Sequence, residues 1–375
     1  MTFARRALAF GFLISLAPAL SAQESDAVYA RINALSGFEL RGFSFDSGLG
    51  VAKASQWHVP LAFTAPLGRR MSFDVSSAYV SSSLTTGGGT ETISGLSDTQ
   101  LRLLYTLQRD RLAASLLFNL PTGQRSVPES QASVSDAVGS NFLSFPVAAL
   151  GTAFGVTGGL ALAARAGAWN VGLAGSLRYL GAYEPFSDAA ATYTPGIEGR
   201  LRAGVDRLVG GRTRVLVGLS ASTFSTDEFA GTGGGLGTST YKPGTRLLSD
   251  LALVHVVGAT TFSLAAWDYY RLAGSRNDVA ADSTKENVLN VELRARVRAS
   301  QRVSFAPLVA FRQYNPAGYR GGRQYSGGAT LYLGLSERLS GQLSGRFDRG
   351  WVVDSRGGFA NFTGYGATLL LRLQR

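Results

Sequence analysis

The sequence predicts an all-β fold, a transmembrane antiparallel up-and-down β-barrel of about 16 strands, with about 14 as the alternative count. Three observations predict it. Charged and apolar residues alternate with period two; short and long connections alternate along the chain; and an export leader precedes a chain with no further apolar run of helical transmembrane length.

The alternation is clearest in residues 291 to 298, Val-Glu-Leu-Arg-Ala-Arg-Val-Arg. On a helix Glu292, Arg294, Arg296 and Arg298 would spread around the cylinder, whereas on a strand they line one side. Ile197, Leu201, Ala203 and Val205 likewise oppose Glu198, Arg200, Arg202 and Asp206. Met71, Phe73, Val75 and Tyr79 oppose Ser72, Asp74 and Ser76, and Leu339, Leu343 and Phe347 oppose Gln342, Arg346 and Asp348. Leu101, Leu103, Tyr105 and Leu107 form another lipid-facing set. An arginine on the lipid face at mid-depth costs about 2–4 kcal/mol, so the ionised set is assigned to the lumen. Leu247 to Val257 and Phe262 to Tyr270 are apolar on both faces in places, which fits a wall packed against a plug or a partly apolar lumen.

At the N-terminus, Arg5 and Arg6 precede an apolar run from Ala7 to Leu20, which closes on Leu20-Ser21-Ala22 and leaves Gln23 as the mature start. Residues 1–22 read as a signal peptide, 23–37 as an N-terminal periplasmic or lumenal segment, and 38–375 as the barrel. The expected location is the outer membrane of a Gram-negative-type bacterium. The chain has no cysteine and 47 glycines, so no disulfide holds it; a closed hydrogen-bonded sheet would. The net charge of +11 would suggest nucleic acid in the cytosol, but here the arginines alternate with apolar residues and the chain is exported. No nucleic-acid partner is expected. Basic residues near the outer rim suit lipopolysaccharide phosphates, and outer-membrane lipid surrounds the rest.

Tight turns fall near Pro66–Arg70, Gln108–Arg111, Arg165–Ala168, Leu208–Arg212, Val257–Ala259, Ser300–Arg302 and Ser336–Leu339. Longer connections lie near Asp46–Ser55, Thr85–Leu96, Thr122–Thr152, Pro185–Thr194, Thr226–Pro243, Ser275–Lys285, Asn315–Gly322 and Asp354–Asn361. Short periplasmic turns and longer extracellular loops give this asymmetry. The turns define the internal hairpin strands; a first strand near Phe38–Phe45 and a last from Asn361 to Leu373 complete the ring. Trp169, Trp267, Tyr269, Tyr270, Tyr179, Tyr183 and Tyr79 fall toward strand ends, where interfacial aromatic girdles sit.

Residues Gly95 to Gly123, GLSDTQLRLLYTLQRDRLAASLLFNLPTG, combine a Gly-x-x-Asp start, a strand ending in Tyr, a tight turn and a second strand closing on Leu-Pro-Thr-Gly. This hairpin, with the next one from Trp169 to Pro185, resembles the outer-membrane family named for the meta-pathway of phenol degradation. That family is grouped with the long-chain fatty-acid transporter superfamily, and the resemblance implies a barrel for uptake of hydrophobic compounds. It covers residues 95–185, marks barrel corners and carries over no binding residue. Gly366, Leu369 and Leu371 further resemble an outer-membrane assembly signal, implying contact with the barrel-assembly machinery, although the chain ends on Leu373-Gln374-Arg375 in place of an aromatic residue.

Catalysis is not expected. With His58 and His255 the only histidines, no histidine metal cluster can form, and neither metal nor cofactor is expected. His255, flanked by Asp250 and Ser249, is the one position from which a barrel-wall hydrolase could be built; His58 beside Trp57 reads as interfacial. Gly87–Gly89 and Gly233–Gly235 lack a Lys-Ser/Thr continuation and read as loop tips. The leading expectation is a passive uptake channel for small hydrophobic or amphipathic solutes, anionic ones included. Its lumen would be lined by Glu198, Arg200, Arg202, Asp206, Glu292, Arg294, Arg296, Arg298, Arg346 and Asp348, and narrowed by Thr122–Thr152 or by Gln23–Gly37 folded inward. The alternatives are a sealed structural or adhesive surface barrel, a barrel-wall hydrolase, and a secreted β-helix, for which no short repeat exists.

Overall fold

In a bilayer, alternating strands can satisfy all their backbone N–H and C=O groups only by pairing the whole way round. The computed structural model, which describes residues 32–46, 48–108, 111–231, 238–281, 284–316, 321–353 and 358–375, shows that closure. The leader, part of segment 23–37 and Gly233–Gly235 lie outside the described residues.

The first half of the wall is β1 (Asn33–Phe45), β2 (Val51–Leu67), β3 (Met71–Thr86), β4 (Gly89–Leu96), β5 (Thr99–Gln108), β6 (Leu112–Leu120), β7 (Gly155–Ala166) and β8 (Trp169–Leu180). After β9 (Ala191–Thr194) come β10 (Glu198–Val209), β11 (Thr213–Phe224), β12 (Asp227–Gly231), β13 (Ser239–Lys242), β14 (Arg246–Val257) and β15 (Thr260–Arg271). Then follow β16 (Gly274–Arg276), β17 (Val279–Ala281), β18 (Glu286–Arg298), β19 (Val303–Pro316), β20 (Gly322–Gly334), β21 (Leu339–Val353) and β22 (Phe359–Gln374). β1 closes on β22 in unbroken register from Asn33–Gln374 to Phe45–Phe362. β4 and β5 lie end to end along one edge of β3, so the ring counts 16 strands. The alternative of 14 is thereby set aside.

All seven turns fall where the alternation places them, although residues 109 and 110 are outside the described set. Gly68 (φ +81°), Gly167 (φ +59°), Gly210 (φ +58°) and Gly258 (φ +55°) supply the left-handed backbone that such reversals need.

Three boundaries differ from expectation. The first strand starts at Asn33, inside the segment assigned to 23–37, because Leu35 and Ser36 continue the ladder with β2 and β22. Thr85–Leu96 is strand rather than loop: outward Ser83–Thr92 and Thr85–Thr90 hydroxyl pairs (2.9 and 3.0 Å) carry the hairpin upward, and Gly87–Gly89 is its turn. Pro185–Thr194, Thr226–Pro243 and Ser275–Lys285 contain β9, β12, β13, β16 and β17, which pair into a separate five-stranded antiparallel sheet at the loop end. Tyr193 Oη donates to Asp227 Oδ2 there at 2.6 Å.

The outer face is apolar over strand after strand: Leu201, Leu177, Leu173, Val309 and Leu343 are each more than half exposed. Such a belt on a closed barrel belongs in an outer membrane, with the short turns toward the periplasm. Leu343→Arg is therefore expected to lower stability by about 2–4 kcal/mol in urea titrations of the lipid-reconstituted barrel. Ser344→Arg, one residue along and facing inward, is expected to cost far less.

Candidate functional site

The inside of the ring is defined by register. Arg202 pairs across with Ser220 and Arg200 with Ser222; Arg346 and Asp348 follow the same face as Gly328 and Ser326; and Glu292 pairs with Ala310. All ten residues assigned to the lumen from sequence share this inner face, but their surroundings differ.

Most of the arginines are neutralised locally. Arg200 meets Glu198 at 2.7 Å, with Arg178 at 3.7 Å; Arg202 meets Asp250 at 2.6 Å; and Arg214 pairs with Asp206. Arg294 meets Glu292 at 2.8 Å, and Arg346 bridges Asp348 (2.7 Å) and Glu292 (3.9 Å). Arg271 meets Glu286 at 3.0 Å and Arg102 meets Asp74 at 2.8 Å. Among the described residues no carboxylate sits at ion-pair distance from Arg246, Arg296, Arg298 or Arg312. Arg246 instead lies over the Phe224 ring (4.5 Å) and Arg296 over Tyr332 (4.2 Å). The positive field of the lumen is thus carried by few residues, placed toward its two ends, plus the buried Arg312.

The second component is the connection from β6 to β7, residues 121–154, which turns inward. Its short helix α1 (Ala132–Val138) buries Val134 and Val138, and Phe142, Leu143, Phe145, Val147 and Leu150 follow them into one cluster with Phe43, Ala54, Ala78, Val80, Leu84, Ile93 and Phe362. Phe43 stands edge-on to Phe145 and to Phe362, and Phe142 stacks on Tyr314 at 5.4 Å. Inward glycines make room: a Cβ at Gly322 would meet Phe142, at Gly350 Phe362, and at Gly364 Phe43.

Polar bonds fix the position of this plug. Gln56 donates Nε2 to the Val147 carbonyl (2.8 Å) and accepts the Val147 N–H (2.9 Å), a side chain acting as a strand partner. Arg312, buried, donates Nη1 to the Phe142 carbonyl (2.8 Å) and Nε to Asn290 (3.1 Å), while Asn141 donates to Glu286 (3.1 Å).

The feet of the loop are gathered by Asp98, at the break between β4 and β5. Its carboxylate accepts from Gly123 N (3.1 Å), Thr152 N (2.7 Å), Thr152 Oγ1 (2.8 Å) and Asn119 Nδ2 (2.7 Å). Gly123 and Gly151 let the two legs cross; a Cβ on Gly123 would lie 2.1 Å from the Leu150 carbonyl oxygen. The Gly95-x-x-Asp98 and Leu120-Pro121-Thr122-Gly123 elements therefore form one clamp, where sequence reasoning saw barrel corners.

The lumen is asymmetric as a result. Gln56, Ser82 and Gln324, facing the plug, are at most 1% exposed. Across the ring the inward side chains of Arg178 and Arg200 are 43% and 52% exposed. The loop end of the barrel is filled along one wall and open to water along the other.

Several sequence assignments are corrected by the register. His58 is not interfacial: it points inward, buried, 3.9 Å from Glu39, while Trp57 faces lipid between Phe38 and Tyr79. Trp267 and Tyr269 face the lumen, where Trp267 lies under Arg312 (5.5 Å), and Tyr183 stands edge-on to Tyr193 outside the wall. Trp169, capped by Arg207 at 5.3 Å, and the exposed Tyr79, Tyr179 and Tyr270 do lie on the outer surface. His255 faces outward and bonds Thr213 (2.8 Å), whereas Asp250 faces inward and Ser249 lies six residues, about 20 Å of strand, away. Those three cannot form a Ser-His-Asp constellation.

No family model matches the chain, and no curated protein matches it. Among solved structures, the CymD monoaromatic hydrocarbon channel is similar at 10% identity and a TM-score of 0.45, over 96% of this chain and 94% of that one. A FadL homologue of Pseudomonas aeruginosa aligns at 11% identity and 0.44, over 94% and 93%. An anion-selective porin from Comamonas acidovorans aligns at 12% and 0.43, over 92% and 98%. At these identities and scores they carry no residue role and no activity over to this chain.

Asp98→Ala and Gln56→Leu each leave plug N–H or C=O groups without partners, at about 1–3 kcal/mol apiece. Both variants are expected to show faster hydrogen exchange and protease cleavage within residues 121–154, with the heat-resistant mobility of the folded barrel on denaturing gels unchanged.

Proposed function

We propose that the protein is an outer-membrane channel for passive uptake of small hydrophobic or amphipathic solutes, anionic ones among them. The observation that carries this reading is the half-filled lumen. The inserted loop packs on the side of Phe43, Gln56 and Arg312, and the opposite wall keeps Arg178 and Arg200 in water. A wall meant only to be sealed would pack that side as it packs the side of Gln56 and Ser82. No catalytic step, metal or cofactor enters this reading; solute, lipid and the assembly machinery are its partners.

The division of charge along the path supports anion preference. Among the described residues Arg246 toward the loop end and Arg296 and Arg298 toward the turn end have no carboxylate partner, so an anionic group meets uncompensated cations as it enters and as it leaves. The aromatic partners Phe224 and Tyr332 beside them provide apolar contact for the rest of an amphipathic solute.

Liposome swelling with benzyl alcohol and benzoate tests the proposal. The intact protein is expected to pass both, and replacement of residues 141–149 by a Gly-Ser linker is expected to raise both rates several-fold. No flux in either form would favour the sealed surface barrel. In a salt gradient across a planar bilayer the reversal potential is expected to report anion preference, and Arg296→Glu with Arg298→Glu to shift it toward cations.

A further inference from the structure

The register also lines up charge on the outside of the barrel. Ser44 on β1 pairs with Lys53 on β2 and with Thr363 on β22, and Thr363 pairs with Arg349 on β21. These four outward, exposed residues form one row of cation, hydroxyl, hydroxyl and cation. At about 4.8 Å between strands, the two cations stand roughly 14 Å apart. Arg323 on β20, opposite Trp351, adds an exposed cation one pleat above Arg349, whose own partner is Tyr325. Among the described residues none of the three has a carboxylate at ion-pair distance.

The height of the row is set by the apolar face beneath it. From Leu339 to Phe347 the outward side of β21 is Leu, Gly, Leu, Gly, Phe, roughly 27 Å of strand, which at a tilt of about 40° fills most of an apolar band of about 25 Å. Arg349 is the next outward residue. Below the row lie Gly42, Tyr365 and Phe347, then Leu40, Ala367 and Gly345, with no ionised group among them. Gly327 and Gly345 have open space where a Cβ would stand, which leaves a shallow trough under the cations. Among the described residues the outward acid next to the row in register is Asp46, one pleat above Ser44. Its carboxylate accepts from Asn361 N (3.1 Å) and Nδ2 (3.0 Å), bonds that hold it below the usual carboxylate range.

We infer that this row is a binding site for a phosphorylated glycolipid of the outer leaflet, the lipid A class. Lys53 and Arg349 each take one of two separated phosphates, Ser44 and Thr363 bond the sugars between, and the strip below takes acyl chain. Arginine's planar fork matches phosphate geometry, and charge-assisted bonds at the edge of the apolar band are shielded on one side from water. A second copy of the chain fits less well, because a two-fold contact would bring this cationic row against its own image.

The test uses the folded full-length barrel in detergent and native mass spectrometry with three probes: bisphosphorylated lipid A, its monophosphoryl form and phosphatidylglycerol. The intact protein is expected to retain one bisphosphorylated lipid about tenfold more tightly than either other probe, and Lys53→Gln with Arg349→Gln to lose about tenfold. Arg302→Gln with Arg338→Gln, at the opposite rim, is expected to bind as the parent does. Should the first pair fail to show the mobility of a folded barrel, Lys53→Gln alone carries the measurement, with a smaller loss expected. The inference is overturned if phosphatidylglycerol binds as tightly as lipid A, if the Lys53 and Arg349 variants bind as the parent does, if the opposite-rim variant loses as much, or if the row proves to hold a second copy. None of these outcomes depends on whether the barrel conducts.

Discussion

Everything in this molecule depends on a bilayer's inability to solvate a backbone amide or a guanidinium. The first forces the sheet to close on itself, and the second forces each strand to keep one parity for lipid and the other for the interior. Once β1 has closed on β22, every inward position is committed to a shared volume, and its contents must be balanced by charge pairing, by water or by packing. The lumen uses all three: ion pairs such as Arg202 with Asp250, solvent at Arg178 and Arg200, and aromatic packing around Phe43 and Phe362.

Parity explains what could be read from the sequence and what was misread. The turns were legible because each combines a break in alternation with residues suited to reversal, as at Gly68 and Gly258. The faces of β10, β18 and β21 were legible because their inward sets are ionised. Strand-end position suggests an interfacial girdle for Trp267 and Tyr269, but parity decides: they share parity with Arg271, and Tyr270 is the outward one. His58 follows the same rule, sharing parity with Gln56 against outward Trp57, Val59 and Leu61. The small sheet at the loop end stayed hidden because strands of three to five residues are too short to show a period.

The plug was legible as a long connection but not in its docking. Its anchors are a helix of seven residues and single aromatic side chains in irregular backbone, and neither has a periodic signature. What the sequence did display was the receiving surface: inward positions of β2, β3 and β4 turn apolar at Ala54, Val80, Leu84 and Ile93, where the other strands carry charge. At those four positions the inward face is uncharged, although Lys53 and Glu91 stand close by on the same strands. That is the pattern expected where an inward wall is covered by protein rather than by water.

The seat of the plug differs from an ordinary core in holding a buried guanidinium. Among the described residues Arg312 has no carboxylate partner, so seating the loop removes it from water in exchange for neutral acceptors on Phe142 and Asn290 and the face of Trp267. Such an exchange is unfavourable by itself, since a buried ion without a counter-ion costs several kcal/mol. The aromatic cluster of Phe43, Phe142, Phe145 and Phe362 and the paired bonds to Gln56 offset it. A loop held by opposing contributions of similar size sits closer to release than one held by apolar packing alone. The clamp at Asp98 stands apart from that balance: its bonds to Gly123, Thr152 and Asn119 hold both legs of the loop at the wall with no buried cation to offset.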